Sequence, residues 1–154
     1  MANTYTQIYI HMIFAVHDRK SLITESYSEN LYKYICGICQ NKNHLIYAIG
    51  GTKDHIHILI GMHPAESVSK LVQIIKSQSS KWMNDNYYRG DFGWQSGFAA
   101  FSYSKSFVPL VKRYIDNQKE HHRRKSFREE LISILDKSGI EYNPDYIFKE
   151  VKAE

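Results

Sequence analysis

Cysteine is almost absent from this 154-residue chain, with 2 copies, and proline is nearly as scarce at 3. Two cysteines cannot build a disulfide framework or a four-cysteine zinc knuckle. Cys36 and Cys39 form a lone CxxC within a helical repeat, where small apolar residues pack a core, so a redox role is not expected and a reduced, cytoplasmic setting is. No apolar run approaches bilayer length, and the opening residues lack the basic region, apolar stretch and small-residue cleavage site of a secretory signal. No membrane partner is therefore expected. Neither sign of charge dominates: 20 Lys and Arg face 16 Asp and Glu, a net +4 that suits a polyanion only mildly. Linker-like and low-complexity stretches are missing too, which argues against disorder.

What is present is a globular composition, 43% hydrophobic, with 12 tyrosines supplying most of its aromatics. The length suits one domain over 1–154, with a core at about 5–125 and a helical extension at about 126–154. Ile8, Ile10, Met12, Phe14 and Val16 alternate as a strand with one face on a core. Ser26 and Glu29 resemble a capping box before a helix ending near Asn43. Leu45–Ile49 and His55–Ile60 read as a hairpin turned by Gly50 and Gly51. Ser67 can cap a second helix running toward Trp82, residues 84–97 read as a loop, and Phe98–Ser104 as a fourth strand. Ser106 and Pro109 can open a third helix continuing past Gln118 to about Arg124. Ser126 and Glu129 suggest a last short helix that Gly139 ends. The order βαββαβ with added helices predicts an α+β, ferredoxin-like split βαβ fold around an antiparallel sheet.

Two constellations could carry chemistry. In Asp54-His55-Ile56-His57-Ile58-Leu59-Ile60 the strand period puts three isoleucines on one face and both histidines on the other. Two neutral imidazoles side by side can share a divalent cation, although a plain pair on a half-exposed sheet fits the spacing as well. On the third helix, Tyr114 and Gln118 are four apart and share a face, with His122 continuing it. Only about one phenol in a thousand is ionised at neutral pH, so a tyrosine nucleophile needs help, which a cation polarising phosphate oxygens supplies. An ordinary amphipathic helix remains open on this pattern alone. His11, His17, His44 and His63 suggest no partner.

With these two motifs in order, the chain resembles the single-tyrosine HUH transposases of small bacterial insertion sequences (TnpA type, IS200-like) and their REP-associated relatives. His55-Ile56-His57 matches the His-hydrophobic-His motif, and Tyr114 with Gln118 the nucleophile and third ligand. Trp94-Gln95-Ser96-Gly97-Phe98, Phe101-Ser102-Tyr103-Ser104 and Tyr114 to His122 support it, so the likeness covers about Tyr5 to Phe127. The resemblance implies a metal-dependent enzyme that nicks and rejoins single-stranded DNA at hairpins through a 5′-phosphotyrosine. It also implies His55, His57 and Gln118 as ligands of Mg²⁺ or Mn²⁺, and a homodimer in which the tyrosine helix of one subunit completes the site of the other. Arg19, Lys20, Lys76, Lys81, Arg123, Arg124 and Lys125 are then candidate phosphate contacts. Trp94, with Phe92, Tyr87 and Tyr88, is placed either to stack on unpaired bases or to plug the core. The rivals are a non-catalytic nucleic-acid binder on the same fold, a zinc hydrolase using the His pair with His121 or His122, and a domesticated relative that moves no element of its own.

Overall fold

A computed structural model of the chain describes residues 3–121 and 125–144; the side chains of Arg19 and His121 are not described. Four strands, β1 (Tyr9–Ala15), β2 (Leu45–Gly51), β3 (His55–Gly61) and β4 (Ala99–Tyr103), form one antiparallel sheet in the order β2-β3-β1-β4. That is the ferredoxin-like order expected from βαββαβ. Helices α1 (Glu25–Asn41) and α2 (Val68–Met83) cover one face. Met12 and Phe14 of β1 and Ile56, Ile58 and Ile60 of β3 point into that layer and are fully buried, each isoleucine contributing roughly 1.5–3 kcal/mol.

The other face is covered as well, which alternation in β1 alone did not predict. Helices α3 (Val108–Asp116), α4 (Gln118–His121) and α5 (Phe127–Lys137) lie on this side. Val111 and Ile115 of α3 pack on Ala48 and Leu59, while Phe127 and Leu131 of α5 pack on Ile13, Ala15 and Phe101. The second face of β1 is therefore as buried as the first. Gly50 lets α3 lie low on the sheet: a Cβ there would stand 2.9 Å from the Ile115 carbonyl oxygen. Any larger residue would lift the helix that carries Tyr114.

Several boundaries differ from expectation. Ser26 lies inside α1, whose N-cap is Thr24 without a side-chain bond, so the expected capping box is not formed. The β2–β3 turn is made by Thr52 to Asp54, not Gly50-Gly51, both of which pair with β3. Ser67 and Ser126 do cap α2 and α5, accepting from the backbone N–H of Lys70 and Glu129 at 3.1 and 3.2 Å. Asn84–Tyr88, expected as loop, continues α2 as a π-helical turn. The Asn84 side chain accepts from Gly90 and Phe92 N–H and donates to the Phe92 carbonyl, closing this segment. The expected long third helix is broken: Asn117, at φ −101° and ψ 20°, separates α3 from α4, and Gln118 opens the second piece. Cys39 is buried, with its thiol pushed up to about 12 by desolvation, as the packing reading requires.

Candidate active site and metal centre

The strand period places His55 and His57 on the sheet face beneath α3 and α5, where both are fully buried rather than half-exposed. The Nδ1 of His55 is held by Asp54 Oδ1 at 2.8 Å and Thr52 Oγ1 at 2.9 Å, and Thr52 Oγ1 donates to the same Asp54 oxygen at 3.0 Å. Its Nε2 faces inward, 3.4 Å from Gln118 Oε1. The Nδ1 of His57 lies 2.8 Å from His11 Nε2, and its Nε2 lies 3.1 Å from Glu130 Oε1. Ligand atoms of His55, His57 and Glu130 all lie within 4.8 Å of one another. Gln118, 1% exposed, reaches this cluster despite the helix break, with its Nε2 3.4 Å from Glu130 Oε1.

Tyr114 stands over the cluster. Its ring meets His57 edge to face at 5.7 Å, and its hydroxyl donates to Glu130 Oε1. Burial pushes the phenol pKa up, and the Glu130 charge and hydrogen bond push it further, because a phenolate beside a carboxylate is disfavoured. Burial also holds the His11 imidazole neutral, lowering its pKa to about 3, with His57 contributing in the same direction.

Two imidazoles, a carboxylate and an amide oxygen make a donor set that suits a divalent cation, nitrogen ligands favouring the transition ions and oxygens admitting Mn²⁺ or Mg²⁺. The residues present therefore fit a metal. Expected ligands His55, His57 and Gln118 come together around this point. Glu130 was missed, although the helix bearing it was recognised, because no local motif marks it. Its only signal was its place on the inner face of α5, one turn after Phe127. His11 was missed for the related reason that its partner is a diagonal neighbour across the β1–β3 ladder. His44, likewise left without a partner, bonds Glu66 at 2.9 Å and accepts from the His63 N–H, away from this site.

The proposed DNA contacts fare differently. The Lys76 ammonium donates to the carbonyls of Gln95 and Gly97 at 2.8 and 2.5 Å, fastening the segment before β4, and burial lowers its pKa. Of the two placements open to Trp94 the core one is seen: its indole N–H donates to Ser79 Oγ at 2.9 Å and its ring meets Phe14 edge-on at 4.8 Å, within the α1–α2 layer. Phe92 is core, and Tyr87 stacks on Tyr27 at 4.0 Å. Lys20 is exposed, Lys81 pairs with Asp85, and Lys125 is half-buried. Arg123 and Arg124 lie outside the described residues, as does His122.

Beside the centre runs a cleft of about 700 Å³ whose lining includes Lys53, Asp54, Lys119, Ser126 and Phe127. The Phe127 ring stacks flat on His55, at 4.0 Å and 13°, and separates cleft from ligands. His55, His57, Gln118 and Glu130 are all 2% exposed or less in this arrangement.

An antiparallel ferredoxin-like sheet bearing a histidine pair below a helix-borne tyrosine places the chain in the tyrosine-transposase fold class. A family profile described as "Transposase IS200 like" matches residues 4–118, and the chain belongs to that family. Among solved structures, a Deinococcus radiodurans protein assigned as a transposase is similar, with TM-score 0.63 and 18% identity over 77% of this chain and 95% of the other. So is a REP-associated tyrosine transposase bound to a REP hairpin, with TM-score 0.61 and 14% identity over 100% of this chain and 93% of the other. No curated protein matches the sequence. No helix among the described residues is long and apolar enough to cross a membrane.

Proposed function

We propose that this transposase nicks and rejoins single-stranded DNA at hairpin-marked ends, with Tyr114 as nucleophile and a divalent cation at His55, His57, Gln118 and Glu130. The observation that carries the proposal is the meeting of Tyr114 with His57 and Glu130 in a buried cluster of ligand atoms. A bound cation would polarise the phosphate oxygens and stabilise charge in the transition state. The chain does the rest. Asp54 and Thr52 orient His55, while α3 presents the Tyr114 hydroxyl for in-line attack. Glu130 Oε1, already the acceptor of that hydroxyl, takes its proton as the O–P bond forms. The P–O3′ bond breaks, the 3′ oxygen leaves and is protonated, and the phosphotyrosine ester keeps the bond for rejoining. Single-stranded DNA approaches through the cleft beside Phe127, where Lys53 stands as a candidate phosphate contact and Lys119 is paired with Glu25 at 3.1 Å. Incubation of labelled hairpin DNA from the flanks of the gene with the protein and Mn²⁺ should give a denaturation-resistant protein–DNA band. Cleavage with no such band would instead favour a metal-activated water.

The same reading includes a homodimer. Within this chain α3 lies on its own β2 and β3, so Tyr114 faces its own histidines. Sharing of the site between subunits is the second arrangement. It is favoured by Phe107 and Leu110, 51% and 55% exposed at the start of α3, and by Leu45, 64% exposed on edge strand β2. A mixture of His55→Ala and Tyr114→Phe proteins should regain activity on exchange if α3 crosses to the partner. Continued inactivity with exchange confirmed would leave nucleophile and ligands in one subunit.

A further inference from the structure

The two histidines of the centre are held at Nδ1 by different kinds of group. For His55 the holder is a carboxylate supported by a threonine hydroxyl, an arrangement that fixes the ring and leaves Nε2 for the cation. For His57 the holder is another imidazole, His11, on the neighbouring strand. In the β1–β3 register His11 faces Leu59 and Ile13 faces His57, so His11 and His57 are diagonal neighbours on one sheet face. Their nitrogens are 2.8 Å apart and their rings lie 26° from parallel.

His11 is itself boxed in. The rings of Phe101 and Tyr103 stand 6.2 Å away and that of Tyr114 stands 6.3 Å away, the last at 74°. Only 1% of the residue is exposed, and among the described residues nothing bonds its Nδ1. On packing grounds this is a poor place for a histidine, since a desolvated ring nitrogen without a partner is unfavourable and Phe or Leu would carry no such penalty. What the imidazole supplies and an apolar side chain cannot is the bond to His57.

We propose that His11 is a positioning residue: it holds His57 by Nδ1 so that Nε2 points at the cluster of Glu130, Gln118 and His55, and it braces the Tyr114 ring over the same point. This rests on the reading of the cluster as the metal centre of a tyrosine transposase. The ring nitrogen that does not bind the cation must be protonated when the other does, so His57 Nδ1–H donates to His11 Nε2 in the loaded state. A neutral His11 is the acceptor this requires, and β1 presents it from the centre of the sheet.

The test compares His11→Phe, His11→Leu and His11→Gln with the unaltered chain. Melting in EDTA reads folding, calorimetric titration with Mn²⁺ reads the site without DNA, and hairpin cleavage reads kcat and KM separately. Phe and Leu should melt in EDTA at or above the unaltered protein, yet bind Mn²⁺ 10–100-fold more weakly, the usual loss when such an outer partner is removed. Their kcat should fall while KM for the hairpin holds. Gln offers a carbonyl oxygen to His57 and should recover most of the affinity. Two apolar variants of different size keep the comparison available if one of them does not fold. Unaltered Mn²⁺ affinity and kcat in a folded Phe or Leu variant would reduce His11 to packing and overturn the proposal. If the unaltered chain binds no Mn²⁺ at all, the metal reading fails and this inference with it; binding that is present but indifferent to residue 11 defeats the inference alone.

Discussion

Tyr114→Phe is expected to abolish the covalent protein–DNA band and to lower cleavage about a thousandfold or more, since removing a nucleophile usually leaves only what binding and electrostatics provide. The substitution deletes one oxygen, which donates to the Glu130 carboxylate and interacts with the Gln118 side chain. Hairpin affinity should change little, because phosphate contacts supply most of the binding energy and the substitution removes no cation. The position also constrains the form of the nucleophile. Burial and the adjacent carboxylate both raise the phenol pKa, so a free phenolate is scarcer here than in water. On the proposed mechanism attack is coupled to proton loss to Glu130, and the rate should show no inflection from a freely titrating phenol near its ordinary value of about 10. Cleavage at an undiminished rate in Tyr114→Phe would remove the tyrosine from the chemistry and leave the histidine pair serving a hydrolase.

The parts of this site that are short-range in sequence were legible there, and those made by tertiary contact were not. His55 and His57 are two apart on one strand, so period-two alternation alone puts them on one face. Ile56, Ile58 and Ile60 mark the opposite face, which packs on α1 and α2. Tyr114 and Gln118 are four apart, and their shared face survives even though the helix breaks at Asn117, because one residue of irregular backbone does not turn Gln118 away from His55. The strand order followed from the element order. Glu130 had no such local signature: on its own helix it is an acidic residue in the first turn, favourable for the macrodipole and otherwise unremarked. Only the docking of Phe127 and Leu131 on Ile13 and Phe101 turns it inward. His11 depended on the β1–β3 register, which one-strand alternation leaves undetermined. Trp94 and Lys76 suit nucleic acid by composition, and only their tertiary contacts reveal that they fasten the segment before β4 to α2.

Metal should stabilise this protein strongly, and the stabilisation should depend on Glu130. A cation that binds the folded chain alone adds about 2.7 kcal/mol at a hundred times its dissociation constant. For a chain of this length that raises the melting temperature by about 8 °C. His57→Ala should erase the increment, because it removes one of the two proposed nitrogen ligands. Glu130→Gln separates charge from shape: the amide fills the same space beside His57 but offers a weaker, neutral oxygen. In EDTA that variant should melt no lower than the unaltered protein, since a carboxylate 2% exposed has a desolvation cost that the amide largely avoids. With Mn²⁺ it should gain less, by about 1.4 kcal/mol for each tenfold loss of affinity. Glu130→Gln thus holds its melting temperature before metal is added and falls behind the unaltered chain after it, a pattern that simple loss of packing does not produce. An equal Mn²⁺ increment in Glu130→Gln and the unaltered chain would show that the cation is held without this carboxylate. Glu130 would then act on Tyr114 alone, and the ligand set would return to His55, His57 and Gln118.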